Sequence, residues 1–123
     1  MTQERFVQLL ATLARDAALK NVVEILASPP GRRPQQSVVE VSRWFNQLPA
    51  EGRSSLRRVM STVAHTSLRA VLEVLDGAMP SDAQQPGHFV LDYIDPAGAR
   101  SILAGPSKAP LGGLLASPMD VCQ

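Results

Sequence analysis

The placement of proline and glycine constrains the fold of this chain more than any other feature. The 123-residue sequence has ten prolines and eight glycines, yet residues 2–27 contain neither and residues 50–75 contain Gly52 alone. Proline removes a backbone donor and glycine adds conformational entropy, so both are unfavourable inside a helix. The two clear stretches therefore predict two long helices, with turns and loops between and after them.

The first stretch predicts an amphipathic helix from about Thr2 to Ala27. Its apolar residues recur at three- and four-residue steps, which places them on one face of a helix. Thr2 is the expected N-cap, because its hydroxyl can accept a hydrogen bond from a free backbone N–H. Ser28-Pro29-Pro30-Gly31 is expected to end the helix.

A second, shorter helix is predicted from Ser37, where Ser37-Val38-Val39-Glu40 matches a capping box. It carries Trp44 and Phe45, which as neighbours point about 100° apart on a helix. We favour a core position for this pair at the seam between the helices, with one of the two rings only partly buried.

The third helix is predicted from Pro49 to about Leu75, with Gly77 as a left-handed C-terminal cap. Its apolar set is wide enough to be buried against two neighbours, and comprises Leu56, Val59, Met60, Val63, Ala64, Leu68, Val71, Leu72 and Leu75. Its polar residues step by four along one stripe, which predicts a single solvated face made of Arg53, Arg57, Ser61, His65, Arg69 and Glu73.

The pattern changes from helical to extended near residue 88. Phe89, Leu91 and Tyr93 alternate with a second set of residues, which predicts a strand with one face against the helices; that set is His88, Val90, Asp92 and Ile94. Asp95-Pro96-Ala97-Gly98 fits a type I turn, and residues 99–104 are expected to form the return strand. An isolated hairpin is marginally stable in water, so we expect it to pack on the helices or to pair with another chain.

Together these elements predict an α+β fold in which three helices, the first and third of them long, pack with a C-terminal β-hairpin. The length suits one domain, which we expect at residues 1–104. Residues 105–123 are predicted to be a Pro/Gly-rich tail, partly docked or flexible, in which Leu111, Leu114 and Leu115 could form an apolar clip.

Composition excludes several classes of protein. A single cysteine, Cys122, cannot form an internal disulfide, and with two histidines it cannot build an ordinary structural zinc site. Twelve basic residues against eleven acidic ones argue against a nucleic-acid-binding domain. The chain also lacks the basic start of a signal peptide and the long apolar run of a membrane span. We expect a cytoplasmic protein without a metal or cofactor.

Three segments carry a resemblance to a known group of proteins. They are Trp44-Phe45-Asn46-Gln47-Leu48-Pro49, Leu72-Glu73-Val74-Leu75-Asp76-Gly77, and the hairpin segment from Phe89 to Gly98. In their order they resemble a family of small bacterial proteins that have three helices followed by a hairpin. The resemblance spans positions 44–98 and implies a fold, but no activity.

The candidate functional residues lie mostly on the second and third helices. Four arginines of the third helix, named here the arginine stripe, could bind phosphate or carboxylate groups or could form a solvated face. Ser61 and His65 are four residues apart, but no oxyanion hole or third orienting group is evident, so no catalytic residue is assigned. The arginine stripe is Arg53, Arg57, Arg58 and Arg69, and the possible interaction surface adds Trp44, Phe45 and His65.

Three hypotheses for function remain open at this stage. The first, which we favour because no catalytic constellation is present, is a non-enzymatic protein–protein interaction module, with a homodimer as one form, using helix faces or the hairpin edge. The second is a small enzyme or ligand-binding protein with a pocket between the third helix and the hairpin, to which His65, Arg69, Asp92 and Tyr93 contribute. The third is an adaptor that binds an acidic partner or nucleic acid through the arginine stripe.

Overall fold

The computed structural model describes residues 1–78 and 87–118. Within them, three helical runs are followed by a two-stranded antiparallel hairpin, which confirms the predicted α+β architecture. The elements are α1 Gln3–Leu10, a π-helical segment Ala11–Asp16, α2 Ala17–Ala27, α3 Gln36–Gln47, α4 Ala50–Leu75, β1 Leu91–Ile94, β2 Arg100–Ala104 and a 3-10 turn Gly112–Leu114. The first three elements follow one another without a break and are named here the first helix.

The first helix begins where the sequence predicts. The Thr2 hydroxyl accepts a hydrogen bond from the backbone N–H of Arg5 at 3.1 Å. The π-helical segment was not predicted, because apolar spacing of three and four residues does not separate an α turn from the wider π turn. A π turn holds more residues than an α turn, so it rotates the side chains that follow it relative to those before it.

Side chains of α3 cap the C-terminal end of α2. The Ser42 hydroxyl donates to the backbone oxygen of Leu26 at 2.6 Å, and the Asn46 amide donates to that of Ala27 at 3.2 Å. These bonds satisfy carbonyls that have no partner inside a helix end. The predicted capping box is wrong in detail: α3 begins at Gln36, and its N-cap residue Gln35 makes no side-chain cap.

The α4 helix ends as predicted at a glycine in the left-handed region. Gly77 has a φ of +96°, its N–H donates to Val74, and the N–H of Ala78 donates to Glu73. This pair of bonds closes the last turn of the helix, and the left-handed conformation favours a residue without a Cβ.

The apolar core lies where α1, α4, the hairpin and the C-terminal segment meet. Its buried members are Val7, Leu72, Ala104 and Leu111, with leucines of α1 and α4 packed around them. Because Val7 and Leu72 belong to the same core cluster while Arg15 contacts His65, the first helix and α4 run antiparallel. Leu111, which lies in the predicted tail, is thus a fully buried member of the core.

The hairpin and the segment after it are fixed by two aspartates. Asp95 accepts from the N–H groups of Ala97 and Ala99, each at 2.9 Å, and so forms the predicted turn between β1 and β2. Asp76, just after α4, accepts from the N–H of Leu111 at 2.6 Å and from that of Gly112 at 2.9 Å. The second aspartate ties the end of α4 to the start of the 3-10 turn.

The orientation of α4 differs from the prediction of one solvated polar face. Ser61 is buried and His65 is half-buried, whereas Val59, Val63 and Val71 are exposed. The helix instead buries the row that contains Leu68 and Leu72, because leucine removes more apolar area from water than valine does. Part of the predicted polar stripe thus faces the first helix, and part of the predicted apolar set faces solvent.

Along the described parts of the chain, no helix is both long enough and apolar enough to cross a membrane.

Candidate functional site

Arg15 is a buried cation that connects three parts of the fold. It lies in the π-helical segment and is only 5% exposed. Its Nη1 group donates to the backbone oxygen of Ala116 at 2.7 Å and to Nδ1 of His65 at 3.0 Å. Its Nε donates to Asp16 Oδ1 at 2.8 Å. The guanidinium therefore joins the first helix to α4 and to the C-terminal segment.

The contact with Arg15 fixes the tautomer of His65. A guanidinium has donors and no acceptor, so Nδ1 of the imidazole must accept and carries no proton. In the neutral ring the proton then lies on Nε2. His65 acts here as a hydrogen-bond partner of a buried charge, and Ser61, one turn earlier, is buried beside the same face of α4.

A groove of about 620 Å³ opens beside Arg15. The first helix forms most of it, with Ala11, Leu19 and Val23 as apolar lining. Lys20 and Arg57 add two further cationic side chains. This volume lies within the range of about 300–1,000 Å³ that small-molecule sites occupy.

The structure divides the predicted interaction residues among different surroundings. Arg57 lines the groove, and Arg53 is half-buried. Arg58 is exposed, while Arg69, also exposed, donates to Glu73 at 3.1 Å in an i,i+4 pair. The arginine stripe therefore does not form one continuous basic face.

The two aromatics of α3 separate as their angular spacing predicts. Phe45 is 2% exposed and Trp44 is 50% exposed. Phe45 is thus a core residue, and half of the surface of Trp44 is available to solvent.

A second candidate surface is the side of α4 that points away from the core. Val59 and Val63 are each 59% exposed, and Val71 and Val74 are exposed as well. Helical geometry places small, uncharged residues among these valines. We name this surface the valine face, and define it by Val59, Val63, Val71 and Val74 together with Ser55, Thr66, Ser67 and Ala70.

The sequence prediction overlooked Arg15, although the chain carries a signal for it. Val7, Ala11, Arg15 and Leu19 follow at four-residue steps, so an arginine occupies one position in an otherwise apolar row. A charged residue in such a row requires a partner if the row is buried. The identity of that partner, His65 with the Ala116 carbonyl, depends on packing over a long sequence separation.

Other predicted site residues are not gathered into a site. Asp92 lies 3.7 Å from Arg100 across the hairpin, and neither Asp92 nor Tyr93 lines the groove beside Arg15. Among residues 1–78 and 87–118, no three His, Cys, Asp or Glu side chains come close enough to hold a metal ion. Cys122 lies outside the described residues.

Comparison with known proteins gives no relative for this chain: no family model, no curated protein and no solved structure matches it significantly.

Proposed function

We propose that this protein is a non-enzymatic, cytoplasmic protein–protein interaction module, and that its binding surface is the valine face of α4. The partner that this surface fits best is a second copy of the chain, bound through the same face. The exposure of Val59 and Val63 on the side of α4 opposite the core is the observation that carries the proposal.

The chemistry of the valine face supports pairing between proteins. The residues that define it are all uncharged and Glu73 lies at its edge, so two copies would meet with charge at the rim only. Its serine, threonine and alanine side chains are small, which allows two helices to approach closely. A surface that pairs with itself around a two-fold axis satisfies the same contacts twice, which is the commonest arrangement in homodimers.

The flanking charges favour an antiparallel arrangement of the two helices. In a pair centred near Thr66, Arg58 of one copy lies beside the partner's Glu73, and the symmetric contact repeats on the other side. A parallel arrangement would instead place the same flank of the two helices on opposite sides of the interface, so Arg58 would not meet the partner's Glu73. Opposite charges at the rim of an apolar interface set orientation more than they add affinity.

Sedimentation velocity across a concentration series tests the proposal. The wild-type chain is expected to change from monomer to dimer with rising concentration. Val63→Glu should raise the dimer dissociation constant by at least about 100-fold, because each copy would bring a carboxylate into the interface. Leu13→Glu is the matched control, since Leu13 is 66% exposed on the first helix and should leave association unchanged.

A charge exchange tests the antiparallel geometry separately. Arg58→Glu should weaken the dimer about fivefold through two symmetric rim contacts, and the double variant Arg58→Glu/Glu73→Arg should restore it. A wild-type chain that stays monomeric at several hundred micromolar would refute self-association. A dimer that persists in Val63→Glu would place the interface elsewhere, and the hairpin edge would be the next surface to test.

A further inference from the structure

The groove beside Arg15 combines an apolar lining with cationic side chains, and it lies on a different side of α4 from the valine face. Ala11, Leu19 and Val23 are spaced so that one side of the first helix lines its length. Lys20 and Arg57 reach it from the first helix and from α4. The groove thus offers contact for an apolar chain next to positive charge.

The charges in the groove are not balanced by its one acid. Asp16 is held by Arg15, whose Nε and Nη2 lie 2.8 Å and 3.4 Å from its two carboxylate oxygens. Within the described part of the chain, neither Lys20 nor Arg57 forms an ion pair. Two cations facing an apolar groove without an acidic partner favour an anionic ligand.

Hydrogen bonds hold the wall of the groove in place beside Arg15. Arg15 is fixed by bonds to Asp16, His65 and the Ala116 carbonyl, and Ala116 itself lines the groove. A preformed wall lowers the entropic cost of binding a small ligand. The π-helical segment that sets this wall is a backbone feature often found at functional sites.

We propose that the groove binds a small amphipathic carboxylate, with its hydrocarbon chain along Ala11, Leu19 and Val23 and its carboxylate between Lys20 and Arg57. A carboxylate suits the site because two cationic side chains can each donate to one of its oxygens. The apolar lining requires a hydrocarbon chain, since a free inorganic anion would leave that surface in water.

Titration of isotope-labelled protein followed by amide chemical shifts tests the proposal with octanoate as the probe. Octanoate should shift amides of residues 11–23 and 116–117 and should saturate. Acetate, which lacks the chain, and octylammonium, which has the opposite charge, should not produce these shifts. Absence of saturable octanoate shifts, or equal shifts with octylammonium, would overturn the proposal.

Substitution of the two exposed cations measures their contribution to octanoate binding and leaves the core unchanged. Lys20→Gln/Arg57→Gln should weaken octanoate binding by about tenfold or more, because two charge-assisted hydrogen bonds are removed. Arg69→Gln is the matched control, since Arg69 is an exposed arginine of α4 outside the groove. Equal octanoate affinity of the double variant and the wild type would show that Lys20 and Arg57 do not bind the carboxylate. The Val63→Glu variant should bind octanoate like wild type, which separates this site from the proposed dimer surface.

Discussion

The two sides of α4 differ in the kinds of residue that they bury and expose. The inward side carries Leu72 in the core and also buries Ser61, with His65 bonded to a buried arginine. The outward side exposes four valines and contains small neutral residues between them. His65 is therefore half-buried where Arg15 gives it a partner, and the valines are exposed where no element of the described chain covers them.

This contrast shows that the amount of apolar surface on a helix does not by itself choose the buried face. Leucines fill the space beside Val7 and Leu111 more completely than valines could, and Arg15 requires an acceptor that His65 provides. Both requirements favour the same rotation of α4. The valines that remain outside are the surface on which the proposed function rests.

The largest effect should come from truncation on the inward side. Leu72→Ala is expected to lower the free energy of unfolding by about 3 kcal/mol, because it removes a fully buried side chain and leaves a cavity. Val71→Ala, one residue away on the exposed side, should change it by less than about 0.5 kcal/mol in the monomer. Urea unfolding of both variants at low protein concentration measures the difference. Similar losses in the two variants would contradict the assigned orientation of α4.

An intermediate effect is expected at the polar part of the inward side. Arg15→Met keeps an apolar chain of similar length but removes the donors to His65 and Ala116, and should destabilise the protein by about 2 kcal/mol. In a double-mutant cycle with His65→Leu, the coupling energy should be about 1 kcal/mol. Hydrogen exchange should also be faster at residues 112–117 in Arg15→Met. A coupling energy near zero would mean that the Arg15–His65 contact contributes nothing to stability.

The smallest effect on stability is expected on the outward side of α4. Val63→Ala is expected to stabilise the isolated monomer by up to about 0.5 kcal/mol, because alanine has the higher helix propensity and Val63 is exposed. The same change should weaken the proposed dimer. Thermal unfolding below and above the dimer dissociation constant measures the two effects, and loss of stability at both concentrations would show that Val63 is packed within its own chain.

Much of the fold follows from local signals in the sequence. Thr2, Gly77 and the Asp95 turn take the roles that their chemistry predicts, because each acts within a few residues of its own position. The start of α3 differs from the prediction. The backbone oxygen of Gln35, rather than the Ser37 side chain, accepts hydrogen bonds from the N–H groups of the first turn.

The candidate sites were less predictable, because they depend on distant partners. Trp44 and Phe45 separate as neighbouring helical positions must. The arginine stripe, by contrast, was predicted as one face and is divided, since Arg57 lines the groove while Arg69 pairs with Glu73. Which side of α4 is buried, and which residue receives Arg15, are decided by packing between segments that are far apart in sequence.

The bonds made by Gln3 and Arg15 also bear on the order in which the protein can fold. Gln3 donates to Leu103 and Ala109, and Arg15 donates to Ala116, over separations of 100, 106 and 101 residues. During synthesis the first helix emerges long before these acceptors exist. The core around Leu111 therefore cannot be completed until the segment that contains residues 103–116 has been synthesised and has emerged from the ribosome.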